Sequence, residues 1–214
     1  MTKAMRQWLP ATALVALVVT ACAPQKTAPE KAAAAMLKYD ATIREGVNQM
    51  DAVIEALKGL RSAEGSTVAA QYQYFSKQVD ALDKLQQDVT SDALAAAKQQ
   101  DLYLSQWQEA HDKIQNPELK AAAEARRSEL LPAIEQIRSS LGSARTSFDP
   151  MMQSLKDLQL FLGNDLTATG LASAQGQMDK CDETAFRVRA DIAAGAQGLR
   201  DLAARIQPGG VKEK

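Results

Sequence analysis

One heptad frame runs unbroken through a long stretch of this chain and restricts its fold more than any other feature. Val68, Tyr72, Phe75, Val79, Leu82, Val89, Ala93, Ala96, Tyr103, Trp107, Ala110 and Ile114 all fall on it, with Gln86 and Gln100 at two middle positions. Apolar residues recurring at alternating steps of three and four line one side of an α-helix, and a stripe kept up this long calls for coiled-coil-like packing. The pattern predicts a helix over residues 67–115, about 70 Å long at 1.5 Å per residue. Ser91 or Asp92 offers an alternative cap, which would restart the helix just after Thr90.

The same period recurs on both sides. Met36, Ile43, Val47, Met50, Ile54 and Leu57 predict a helix over 31–60, with Asp40 interrupting the stripe. Gly65 marks a turn, with Ser66 or Thr67 to cap the next helix. Asn116-Pro117 is a break, because the residue before proline is pushed out of the helical region. Leu130, Ile134, Ile137, Leu141 and Ala144 then predict a helix over 118–147, which Pro132 should kink or split. Asp149-Pro150 reads as a cap and first turn, opening a separate segment over 151–162 with Leu155, Leu158 and Leu162 inward. Gly163-Asn164-Asp165 breaks that segment. A last helix over 167–206 carries Leu171, Ala174, Met178, Cys181, Ala185, Val188, Ile192, Leu199, Leu202 and Ile206, with Gly195 in the missing stripe position as a place for close helix approach. Aromatic residues make up only 5% of the chain, which suits long helices better than sheets. The expected fold is all-α, an elongated antiparallel bundle forming a single domain over 31–206, with alanine stripes allowing close packing and a disordered tail over 207–214.

The amino-terminal residues carry a different message. Lys3 and Arg6 precede an apolar run from Leu9 to Val19, and Val19-Thr20-Ala21-Cys22 resembles the lipobox of bacterial lipoproteins. The run is short of the roughly 20 apolar residues needed to span a bilayer. The expectation is a signal peptide over 1–21 that is cleaved, leaving Cys22 as a lipid-modified amino terminus on a tether over 22–30. In such lipoproteins the cysteine carries a diacylglycerol and usually a further acyl chain. Each buried methylene contributes about 0.8 kcal/mol, so more than one chain anchors firmly. Ala23 in place of Asp resembles the outer-membrane default of lipoproteins in two-membraned bacteria. The expected location is therefore the periplasmic face of the outer membrane.

Charge and motifs narrow the function. Losing Lys3 and Arg6 from 25 basic residues against 26 acidic leaves a net charge of −3, with no concentration of positive charge for nucleic acid. No Gly-rich phosphate loop, zinc spacing or nucleophile elbow is visible, so no catalytic residue, metal ligand or cofactor is expected. His111, the only histidine, lacks a chelating partner and reads as a partly exposed helix residue. The sharper alternative is a ligand or haem pocket formed by Trp107, His111 and one of Met36, Met50, Met151, Met152 or Met178. Cys181 has no intramolecular partner once Cys22 is lipidated and reads as a buried small apolar residue, with an intermolecular disulfide as the alternative. Tyr72 and Phe75 read as core, Tyr74 as a surface ring, and Asp182 and Glu183 as a solvated face.

Trp107, Asn116, Leu119, the 151–162 segment, and Phe161-Leu162 with Leu166, Ala168, Leu171 and Ser173 together resemble an uncharacterised family of bacterial lipoproteins, the domain of unknown function numbered 2959. The resemblance runs from about Tyr103 to Ala174. Family members carry Lys-His-Asn where this chain has Gly163-Asn164-Asp165, which removes a polar cluster. The resemblance implies a helical envelope lipoprotein and supplies no activity. The leading expectation is a non-enzymatic scaffold, spacer or adaptor, anchored through Cys22 and holding a protein partner or itself. The alternative is a bundle that binds a small ligand or a metal.

Overall fold

Four long helices account for nearly all of residues 26–207, the part of the chain that the computed structural model describes. They are α1 (Ala28–Arg61), α2 (Val68–Asp112), α3 (Pro117–Asn164) and α4 (Ala168–Ile206), with a single 3-10 turn at Gly65–Thr67 between the first two. The expected lipidation site Cys22, the signal peptide and most of the carboxy-terminal tail lie outside the described residues. The predicted tether is shorter than expected at its far end, because α1 already begins at Ala28. Pro29 sits in its first turn, where no amide donor is needed. Glu30 accepts hydrogen bonds from the Thr27 amide at 2.7 Å and its hydroxyl at 2.9 Å.

The other ends are closed by local chemistry. Asn116 Oδ1 accepts from the amides of Glu118 and Leu119 at 2.9 and 3.1 Å, and Pro117 opens α3. Thr167 Oγ1 accepts from the Gly170 amide at 3.1 Å at the start of α4. Between α1 and α2, Gly65 takes a φ of +55°, which costs glycine nothing.

The alternative break in α2 and the expected breaks in α3 do not occur. α2 runs through Thr90, Ser91 and Asp92, and Asp92 caps nothing: it is buried and takes hydrogen bonds from Lys38 Nζ and Thr42 Oγ1, both at 2.6 Å. α3 runs through Pro132 and Pro150 as one 48-residue helix, so Asp149 starts no new one. The stripe explains this. Ala144, Phe148, Met151, Leu155, Leu158 and Leu162 keep one phase across Pro150, and a restart would swing half of them out of the core. Both prolines lie on the exposed side, where water can satisfy the carbonyl that each leaves unpaired.

The helices pack as an up-down-up-down ring in the order α1, α2, α3, α4, with α2 and α3 touching least. The antiparallel register of α1 and α4 is marked by three ion pairs. Asp40, Asp51 and Arg61 along α1 meet Arg200, Arg189 and Asp179 back along α4, stepping residue for residue. The core divides into two apolar clusters. One, around Met50, Leu57, Phe75, Leu155 and Met178, fills the half near the α1–α2 turn. The other, around Met36, Tyr103, Leu130, Ile134 and Leu202, fills the opposite half. Ile192 packs against both. As the sequence suggested, Gly195 is a point of close approach: a Cβ there would come within 2.5 Å of Leu141.

Candidate functional site

Where the two core clusters meet, the ring is incomplete. A cavity of about 340 Å³ opens between α2 and α3 at the waist of the bundle. Each helix contributes one face. Tyr39, Ile43, Gly46, Val47 and Met50 come from α1, and Leu82, Gln86, Val89, Thr90, Ala93, Leu94 and Ala97 from α2. Leu141, Ala144, Arg145, Phe148 and Asp149 come from α3, and Ile192 from α4. Leu82, Gln86, Val89 and Ala93 on α2 lie on the core stripe, whereas Thr90, Leu94 and Ala97 lie off it and are exposed, so the cavity reaches from the core out to solvent along the α2–α3 seam.

Residue size explains the space. Gly46, Ala93 and Ala144 stand at levels where larger side chains would fill the centre of the ring. The expectation that alanine stripes draw all the helices close is therefore wrong on the α2–α3 side. Polar contacts set that seam instead. Tyr72 donates to the Gln159 carbonyl at 2.9 Å, and Gln159 Nε2 donates to Ser76 Oγ at 2.6 Å and Asp80 Oδ1 at 3.0 Å. Lys156 pairs with Asp83 at 2.6 Å and Arg138 with Asp101 at 3.1 Å. These long side chains span the seam at its edges, and the small residues between them leave room.

The cavity wall is mostly hydrocarbon, with a polar group of residues at the mouth. Gln86 Nε2 donates to Asp149 Oδ1 at 3.0 Å, and Arg145 Nε lies 3.4 Å from Asp149 Oδ2. The Arg145 side chain is 72% exposed and is the only cationic side chain in the lining. Burial pushes the Tyr39 hydroxyl above its ordinary pKa, with the Arg145 charge acting the other way, so the phenol is neutral at physiological pH.

A buried polar layer lies close by. Asp40, the residue that interrupts the α1 stripe, is 1% exposed. Arg200 Nη1 donates to its Oδ1 at 2.6 Å, and Arg44 Nη2 lies 2.9 Å from Oδ2 without the alignment of a hydrogen bond. A buried carboxylate is tolerable only with such partners. Asp40 therefore ties α1 to α4 just beside the cavity.

The residues singled out in the sequence scatter along the bundle. His111 is half-buried at the far end, with Nδ1 3.3 Å from Asp112 and Nε2 4.0 Å from Glu124. The shallow hollow beside it is lined by Ala28, Pro29, Tyr103, Gln106, Trp107, Ala110 and Ile114, and no methionine reaches it. The alternative pocket read from the sequence is therefore met only by Trp107 and His111, without the methionine. Among the described residues, no three His, Cys, Asp or Glu side chains converge as a metal site would need. Cys181 is buried in the core, where desolvation pushes its thiol up to about 11, with the Arg61 charge opposing. Tyr72 packs against the core and Tyr74 is 49% exposed. Glu183 is exposed and Asp182 half-exposed.

Fold and site together define an all-α antiparallel bundle of four long helices with an apolar cavity at its waist. The chain belongs to the family described as "protein of unknown function" (DUF2959), whose model matches residues 36–195, a wider span than the resemblance read from the sequence. No curated protein and no solved structure matches it. Among the described residues, no helix is long and apolar enough to cross a membrane.

Proposed function

We propose that this chain is a non-enzymatic, lipid-anchored protein of the cell envelope, acting as a spacer or adaptor on the periplasmic face of the outer membrane. The observation that carries this reading is where α1 begins. Ala28 lies at one pole of the rod, against Tyr103, Trp107 and Ile114, close to the α2–α3 turn and a few residues after the lipobox-like Cys22. An anchor at Cys22 would hold that pole at the bilayer and leave about 70 Å of bundle, the length of α3, to reach away from it. A long helical rod offers faces for a partner and needs no chemistry of its own. Crosslinking of the full-length protein in living cells, followed by mass spectrometry, tests this. One dominant partner along one face is expected. Self-crosslinks alone would replace the adaptor by a structural oligomer, and a Cys22→Ala chain that stays with the membrane would remove the anchor.

The waist cavity favours a second reading, that the bundle binds a small apolar ligand. Its volume lies within the range of about 300–1,000 Å³ typical of ligand sites, and its wall is hydrocarbon with polar groups at one edge. A neutral apolar fluorophore such as N-phenyl-1-naphthylamine should brighten on adding the protein, and a bulky residue at Ala93 should abolish the effect.

A further inference from the structure

We infer that the waist cavity takes a long-chain fatty acid, its hydrocarbon chain lying along the bundle between α2 and α3 and its carboxylate at Arg145. This rests on the second reading above and assigns the ligand class to it. Three observations lead there.

The first is shape. The lining extends about 22 Å along α2 from Leu82 to Ala97, about 16 Å along α1 from Tyr39 to Met50 and about 12 Å along α3 from Leu141 to Asp149, at 1.5 Å per residue, so the space is elongated along the bundle. One acyl chain of a bilayer covers half of a ~30 Å hydrocarbon core, about 15 Å. A single acyl chain is of the length that the three helices line, and it would lie along the bundle. The second is the wall. Ile43, Val47, Val89, Leu141, Phe148 and Ile192 offer hydrocarbon, and the half-buried Tyr39 hydroxyl is the one donor among the inner α1 positions. Protein interiors are close-packed, and a space this large facing apolar side chains loses contacts unless something fills it.

The third is the mouth. Its one cation, Arg145, is held only by a 3.4 Å contact to Asp149, between groups that are 72% and 46% exposed. Such a surface pair is worth little. Asp149 keeps its hydrogen bond from Gln86 when Arg145 turns away, so the guanidinium is free to take a ligand carboxylate with two parallel hydrogen bonds.

The test uses the full chain reconstituted in phosphatidylcholine vesicles, with cis-parinaric acid as the fluorescent fatty acid. Variants compared at the same lipid concentration cancel partition into the bilayer. Saturable binding by the wild-type chain, displaced by palmitate, is expected. Ala93→Trp and Gly46→Leu, which fill the cavity from two sides, should each abolish it. Gly46 has room for a side chain, its Cβ meeting Val89 only at 3.6 Å. Circular dichroism establishes that each variant is folded. Arg145→Gln should weaken fatty-acid binding about tenfold and leave the neutral naphthylamine probe unchanged. Equal parinaric signals from wild-type and cavity-filled chains would overturn the inference. If the naphthylamine still distinguished those chains, the apolar cavity reading would stand without the fatty acid. If neither probe did, both would fall. Displacement by lysophosphatidylcholine and not by palmitate would reassign the site to a phospholipid.

Discussion

At the scale of single residues, the glycines of α3 and α4 separate two effects that the sequence alone runs together. Gly142 has nothing within 4 Å of a built Cβ, whereas a Cβ at Gly198 would sit 2.6 Å from Ile137 Cγ1. Alanine is about 1 kcal/mol better than glycine in a helix interior, so Gly142→Ala should raise the melting temperature by about 2–4 °C. Gly198→Ala gains the same propensity but pushes a stiff β-branched neighbour in a packed core. A net loss of up to about 2 kcal/mol in urea titration is expected, since overpacking costs about 1–3. Gly195→Ala should fall between the two, because its neighbour Leu141 borders the cavity and has space to move. Gly195 was legible as a gap in the heptad stripe. Gly198 lies off the stripe and was not, since only the position of α3 reveals what it touches. Cys181 gives a second residue-scale prediction. Buried, with its thiol raised to about 11, it should react with Ellman's reagent at neutral pH only after denaturant opens the bundle. Rapid reaction of the folded chain would show the core to be open there.

At the scale of elements, helix existence and facing were written into the heptads, and the prolines were where local rules misled. Asp149-Pro150 has the chemistry of a helix start, and in isolation it would favour one. What overrides it is the unbroken phase from Ala144 to Leu162, because a continuous helix keeps both Met151 and Met152 buried at 3% exposure. Long-range burial outweighs one missing backbone hydrogen bond. The cost of that bond remains, so replacing Pro150 with alanine should stabilise α3. Proline in a helix interior is about 3 kcal/mol worse than alanine. About 1 kcal/mol of that is offset because proline also restricts the unfolded chain, so a gain of about 2 kcal/mol is expected by chemical denaturation. A loss would mean that α3 needs proline at position 150 to meet α4. The α2–α3 seam was illegible for a related reason. Gln159, Lys156 and Arg138 look like solvated surface in the sequence and Gln86 like a polar position in the stripe, yet they span the gap that the small residues leave, and so the cavity came into view only with the fold.

At the scale of the whole molecule, titratable groups tie the ends and the middle of the bundle together, and their signs set a stability dome. Asp92 is held below the usual carboxylate range by the Lys38 hydrogen bond and then by Thr42, linking α2 to α1. Asp165 is lowered by Thr167 at the α3–α4 turn, and Glu30 by the Thr27 amide at the start of α1. A carboxylate whose folded pKa is depressed lets the unfolded chain bind more protons at low pH. Its contribution is present above the unfolded value near 4 and is lost as pH falls through the lower folded value. On the alkaline side the order reverses. Cys181 is raised from 9.0 to about 11 by burial, and the hydroxyls of Tyr39 and Tyr103 are also raised by burial. The unfolded chain releases these protons first, so stability is full below pH 9 and declines through 9–11. At about 1.4 kcal/mol per unit, Cys181 alone accounts for about 3 kcal/mol of that decline. Urea midpoints should therefore stay level between about pH 5 and 9 and fall on both flanks. Cys181→Ala should be less stable at neutral pH but lose much less between pH 9 and 11, because alanine has no proton to release. An alkaline slope as steep in the variant as in the wild type would move the cause to the tyrosines, and with it the seat of the pH response from the half near the α1–α2 turn to the waist and the opposite half.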